Sequence, residues 1–246
     1  MSRMGRLLAL TVLMTFLVFL VGADQVNSQE NQQQGQQAQT PKRADVYQVR
    51  DFSHLLGAEG LNDNLLQNHF KLYEGYVKHT NKYLQLFRQL DPSSTEFADV
   101  KRRFGFEFDG MRLHELYFEN MAKDAKTPAE NSPLLKAIAQ EYGGFDQWKT
   151  RFLAVGAMRG IGWAILYVDP RTGQLVNDWV NEHHHNHMAA CAPLLVMDVW
   201  EHAYLTQFGL DRKQYMDVFF NHIDWDVVAQ RYQDVQRQWK EKEPQP

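Results

Sequence analysis

The sequence predicts an α+β fold in which two long helices precede a region of shorter helices and three short strands. Two stretches in the first half repeat apolar side chains at three- and four-residue steps. Three brief apolar runs follow in the second half, two of them flanking a turn rich in Asp, Pro and Gly. Hydrophobic residues make up 44% and aromatic residues 13% of the 246 positions, enough to fill one sizeable core.

The first segment does not belong to that core. Arg3 and Arg6 precede an apolar run from Leu7 to Val21, which ends on the small residues Gly22 and Ala23. Those features spell a signal peptide over residues 1–23, with cleavage expected after Ala23. The run is shorter than the ~20 residues of a spanning helix, so membrane attachment is expected only if the segment is retained. Residues 24–45 are Gln-rich with almost no aliphatic side chains, cannot offset their ordering entropy, and read as a flexible linker. An exported protein, periplasmic or secreted, is expected.

A helical hairpin domain is expected over residues 46–127. Leu65, His69, Leu72, Tyr76, Thr80, Tyr83 and Phe87 share one helical face, with Asn62 or Asp63 as cap and Asp91-Pro92 as stop. Met111, His114, Phe118 and Met121 mark a second helix, antiparallel to the first.

A C-terminal α/β domain is expected over 128–242. Ser132-Pro133 opens a helix that closes at Gly143-Gly144, and another runs through Trp148, Phe152 and Val155 to end near Gly160. Trp163–Val168 and Leu175–Val180 read as strands joined through Asp169-Pro170-Arg171-Thr172-Gly173, where Pro presets φ and Gly accepts a positive φ. Pro193–Val199 reads as the third strand, and 212–239 is helical again with a break near Asp224-Trp225.

Charge and cysteine content exclude some functions. A formal charge of −4 argues against nucleic acid as a partner, since phosphate binding needs a basic surface. The single cysteine, Cys191, allows neither an internal disulfide nor a Cys-rich zinc site, and reads as a small buried apolar residue.

The chemistry gathers at four positions. Asp198 and His202 leave the end of an apolar strand four residues apart, and buried ionisable groups require a partner. His69 and His114 lie on the inward faces of the two long helices. Either histidine alone would read as a hydrogen-bonded core residue. Together, three imidazoles and one carboxylate suit manganese or iron, which accept mixed nitrogen and oxygen donors.

The segment PLLVMDVWEHAY resembles the signature of the manganese/iron superoxide dismutases, and YVKHTN, RLHELYF, EYGGFDQWKTRF, GIGWAIL and HIDWDVV agree with that family in order along the chain. The resemblance runs from about Asn62 to Tyr232. It implies a long antiparallel helical hairpin packed on an α/β domain with a three-stranded antiparallel sheet, and one Mn or Fe per subunit between them. By similarity the metal falls to His69, His114, Asp198 and His202. Tyr76 resembles the tyrosine that gates the substrate channel, Trp163 and Trp200 the aromatic walls, and Asn81 a structural residue of the first helix. His183 stands where many manganese enzymes carry a Gln that bonds solvent at the metal, and Gly110 is the small residue in place of the iron-type Gln. Glu201 resembles the residue that bridges to the opposite subunit's His202, which implies a homodimer. Superoxide is the implied substrate, converted to oxygen and hydrogen peroxide as the metal cycles between +3 and +2.

The sequence departs from this pattern in several places. His69 and Tyr76 are seven residues apart where the familiar pattern has eight, and one residue fewer removes a π-bulge. Leu72 or Tyr73 replaces a histidine usually found near the metal, and Leu205 replaces the tyrosine that meets it across the dimer. The family's N-terminal L-P-Y block is absent. Two other readings are open on the residues alone: another mononuclear iron oxidoreductase using two histidines and a carboxylate, or an exported metal-buffering protein working through His183, His184, His185 and His187.

Overall fold

The computed structural model describes residues 45–240, so the expected signal peptide and all but the last position of the Gln-rich linker lie outside the described residues. Within them no helix is long and apolar enough to cross a membrane.

Helix α1 spans Asp63–Leu86, opened by Asn62, whose Oδ1 accepts a 2.7 Å hydrogen bond from the Leu65 amide. Helix α2 spans Thr95–Glu119, opened in the same way by Ser94, whose hydroxyl accepts from the Phe97 amide. The two are antiparallel: Phe87 at the end of α1 meets Phe97 and Phe104, while His69 near its start meets Phe118. Helix α1 runs without a π-turn, as the shortened spacing predicts. Seven residues is close to two turns, so His69 and Tyr76 share one face.

Asn81 ties the incoming chain to this hairpin. Its Oδ1 accepts from the amides of Val46 and Tyr47, and its Nδ2 donates to the Tyr47 carbonyl. One side chain therefore satisfies three backbone groups of the incoming segment.

Helix α3 (Pro133–Tyr142) is capped by Ser132 and stopped at Gly143, whose φ of +84° suits glycine. Helix α4 spans Phe145–Gly156 and ends earlier than its apolar pattern suggests. Arg212 accounts for the difference, because its guanidinium donates to the carbonyls of Met158 (2.7 Å) and Gly160 (2.9 Å) and holds them out of helical register.

Strands β1 (Gly162–Val168), β2 (Leu175–Asn181) and β3 (Ala192–Asp198) form one antiparallel sheet in the order β2-β1-β3. Strand β1 is buried along its whole length. Its register sets Trp163 opposite both Val180 and Asp198. Gly162 is required there: a Cβ would lie 2.0 Å from the Val180 carbonyl oxygen. The described residues close with α5 (Leu205–Phe208), α6 (Arg212–Asn221) and α7 (Trp225–Lys240).

The helical hairpin joins the sheet through hydrogen bonds as well as packing. Asn120 accepts from the Val196 amide (2.8 Å) and donates to the Val196 carbonyl (3.2 Å), completing the outer side of β3. Arg231 of α7 donates to Leu194, Leu116 and Glu119. Because Asn120 is engaged with β3, α2 stops at Glu119. Met121, which its spacing puts on the helix, instead forms a bridge with Ile223.

Candidate metal centre

Four elements converge at the seam between hairpin and sheet. Helix α1 contributes His69, α2 contributes His114, the end of β3 contributes Asp198, and the short 3-10 turn Glu201–Ala203 contributes His202. One atom from each lies within 4.8 Å of the others. The three Nε2 atoms face a single oxygen: His69 is 3.2 Å, His202 3.1 Å and His114 3.7 Å from Asp198 Oδ2. The other carboxylate oxygen accepts from the Trp200 amide at 2.8 Å, which fixes the plane of the group.

Burial dominates the protonation states. It pushes the His69 imidazole down, and pushes His114 well below the usual range with help from the neighbouring His69. Burial alone would raise the Asp198 carboxyl. The charge and hydrogen bond of His202, with the hydrogen bond from His69, outweigh it and hold the group well below the carboxylate range. The cluster thus pairs an anionic carboxylate with two buried imidazoles, His69 and His114, that burial holds neutral.

His114 makes the fit to a cation specific. Its Nδ1 is 2.6 Å from the Gly110 carbonyl and must donate there, so in the neutral ring Nε2 carries a lone pair. That lone pair is buried, faces the Asp198 carboxylate and finds no hydrogen-bond partner among the described residues. A lone pair aimed at an anion is unfavourable unless a positive ion lies between them. The donor set of three imidazoles and one carboxylate suits manganese or iron.

A second layer of residues closes over these four. The His183 ring stacks on Trp200 with centroids 4.5 Å apart, and its Nδ1 accepts from Trp163 Nε1 at 3.1 Å. Its Nε2 lies 2.7 Å from Tyr76 Oη. Burial pushes the His183 pKa down to about 3, so the ring is neutral. Since indole can only donate, the proton of His183 resides on Nε2 and points at Tyr76. The Tyr76 hydroxyl, whose pKa burial raises, keeps its own proton for a further acceptor. Gly110 makes room for this pair: a Cβ there would stand 2.8 Å from the Tyr76 ring and 3.2 Å from the His183 ring.

Several residues that hold the site carry no sequence signal of their own. The Tyr215 hydroxyl donates to the Asp198 carbonyl at 2.7 Å and meets Tyr117 Oη at 3.1 Å, anchoring the backbone that presents the carboxylate. Tyr73, not Leu72, takes the inward position near His69, and its hydroxyl donates to buried Glu115.

The histidine run splits between inside and outside. His183 faces the centre. His187 is exposed, although its ring nitrogens meet the His183 carbonyl at 2.9 Å and the Tyr167 hydroxyl at 3.0 Å. His184 is half-buried against Phe106 and His185 is exposed, and both cluster with Glu182. Glu201 is exposed, and Leu205 is 43% exposed.

Residues 130–231 match the model of the iron/manganese superoxide dismutase C-terminal domain. The chain is 31% identical to a superoxide dismutase [Fe] of Aquifex aeolicus over 79% of its own length and 96% of that protein's. It is also 33% identical to a superoxide dismutase [Mn/Fe] of Aeropyrum pernix over 68% of this chain and 80% of the relative. A superoxide dismutase [Mn] 2 of Halobacterium salinarum is 37% identical over 51% of this chain and 62% of the relative. The chain belongs to the iron/manganese superoxide dismutase family.

Proposed function

We propose that this protein is a superoxide dismutase that holds one iron or manganese ion through His69, His114, Asp198 and His202. The observation that carries the reading is the convergence of three imidazole Nε2 atoms, from buried His69 and His114 and half-buried His202, on one ionised carboxylate oxygen, in a chain of this family. When bound, the ion supplies the one-electron chemistry, cycling between +3 and +2 while one superoxide becomes oxygen and the next, with two protons, becomes hydrogen peroxide.

The chain's own residues do the rest. The anionic Asp198 favours the more highly charged ion. His183 directs its Nε2 proton at Tyr76, which leaves the Tyr76 hydroxyl proton available to an acceptor in the site. Trp163 and Trp200 keep the His183 ring in that orientation and exclude water from its faces. Glu201 of each of two copies pairs with the other's His202 in a homodimer. The N-terminal segment exports the protein, and the Gln-rich linker spaces the folded part from that segment.

The test is metal analysis and superoxide removal by purified protein reconstituted separately with iron and with manganese. Asp198→Ala should lose both bound metal and activity. Full activity in that variant would refute the assignment.

A further inference from the structure

We infer that Glu182, His184 and His185 form a second cation site, on the outer side of the loop after β2, for a divalent transition ion of the zinc class. One ligand atom from each of the three lies within 4.8 Å of the other two, so small side-chain rotations bring all three onto one ion at the usual ~2.0–2.2 Å.

The loop that carries them is built to hold its shape. The Asn181 amide donates to the His185 carbonyl at 3.1 Å, and the His185 amide donates back to the Asn181 carbonyl at 3.3 Å, closing the turn. Glu182 (φ +52°) and Asn186 (φ +68°) adopt left-handed backbone, a conformation that β-carbon residues enter at a cost. The Glu182 amide donates to Ile161 and its carbonyl accepts from Trp200 Nε1, so the backbone beneath the carboxylate is fixed to the sheet and to the wall of the buried centre.

The side chains, by contrast, lack partners. Among the described residues the Glu182 carboxylate makes no ion pair, and the buried Nδ1 of His184 has no hydrogen-bond partner. The His184 and His185 rings approach to 3.9 Å between centroids at 33°. Two imidazoles so close resist protonation together, and burial already favours the neutral, metal-binding form of His184. Arg103 is the nearby cation, and its guanidinium is held by Glu107 at 2.8–2.9 Å and so is partly neutralised. Imidazole with one carboxylate suits zinc, copper or nickel rather than calcium or magnesium, which prefer all-oxygen surroundings.

The site is separate from the buried centre. His183 and His187, the other two histidines of the run, are engaged elsewhere, with Tyr76, Trp163, Tyr167 and one another. The inference therefore does not depend on which ion, if any, His69, His114, Asp198 and His202 hold.

Zinc titration by calorimetry tests it, using the metal-loaded full chain after dialysis against a weak chelator. Wild type should take up one zinc equivalent beyond the tightly held ion. The double variant His184→Asn/His185→Asn should lose that equivalent or bind it at least tenfold more weakly, and Glu182→Gln should weaken it in the same direction. Tightly held metal and superoxide removal should stay at wild-type levels in both variants, which also establishes that they fold. The inference is overturned if wild type takes up no extra equivalent, or if the double variant binds zinc as wild type does. A protein inactive against superoxide that still shows the difference in zinc uptake would sink the enzymatic reading and leave this site standing.

Discussion

His183 Nε2 and Tyr76 Oη meet at 2.7 Å across the seam between the sheet domain and helix α1, 107 residues apart in sequence. The direction of that bond follows from Trp163 on the other side of the ring, because an indole N–H leaves His183 Nδ1 no role but acceptor. The pair is thus a fixed donor chain from Trp163 through His183 to Tyr76, and it rests on the neutral state of a buried imidazole.

Breaking that chain at either end should have the same consequence. His183→Leu and Tyr76→Phe are each expected to lower superoxide removal by about 10- to 100-fold with little loss of bound metal. The double variant should lose scarcely more than the worse single one. Metal content and activity measured together check this, and additive losses would show that the two residues act separately.

Gly110 should not accept a larger residue. Replacing a helical glycine by alanine ordinarily gains about 1 kcal/mol. Here the new methyl would press on two rings that are themselves hydrogen-bonded, so Gly110→Ala is expected to destabilise by about 1–3 kcal/mol. Urea unfolding of the variant beside wild type measures the sign.

Asn120→Leu should be among the more damaging single changes outside the centre. It removes both bonds to Val196 and leaves that amide and carbonyl buried without partners, at an expected cost of about 1–3 kcal/mol for each group left unsatisfied. A denaturation midpoint unchanged from wild type would contradict the role given to this side chain.

Acid should weaken the metal-free fold through its buried histidines before it reaches the carboxylate. His183 has a folded pKa of about 3 against an ordinary value of 6.5, so between those limits the unfolded chain binds the extra proton. Stability conferred by this group is complete above pH 6.5 and declines as pH falls toward 3, at up to about 1.4 kcal/mol per pH unit. His69 and His114 are shifted the same way. Asp198, held low, adds its own loss only below the usual carboxylate range. Unfolding free energies of wild type and His183→Gln, compared at pH 5 and 7, should show the shallower slope in the variant.

Much of this arrangement is legible in the sequence, and the reasons differ by element. The strands are readable because each is a short apolar run between turn residues, and two of the helices because Asn62 and Ser132 cap them where the periodicity begins. Asp198 and His202 stand out because charge follows a buried strand. The positions of His69 and His114 gain meaning only beside those two, since one inward histidine on a helix looks like any other. The end of α4 and the path of Met121 are not readable, because each turns on a contact with a residue more than 50 positions away: Arg212 bonded to Met158, and Val196 bonded to Asn120. Nor does spacing distinguish His183, which is buried, from His184, His185 and His187, which are not. A strand reversal at left-handed residues Glu182 and Asn186 sorts them, and neither is a glycine that would announce it.

The outer side of β3 is finished by an amide and a guanidinium from helical segments instead of by another strand. A sheet completed this way offers no template for a neighbouring molecule's strand while Asn120 and Arg231 stay in place. Should the hairpin or α7 detach before the domain has closed, an apolar row from Leu194 to Met197 would be laid open with its backbone donors and acceptors unmet. Self-association in this chain is therefore expected to begin from partly folded molecules, and to be governed by how fast the terminal helix docks during folding.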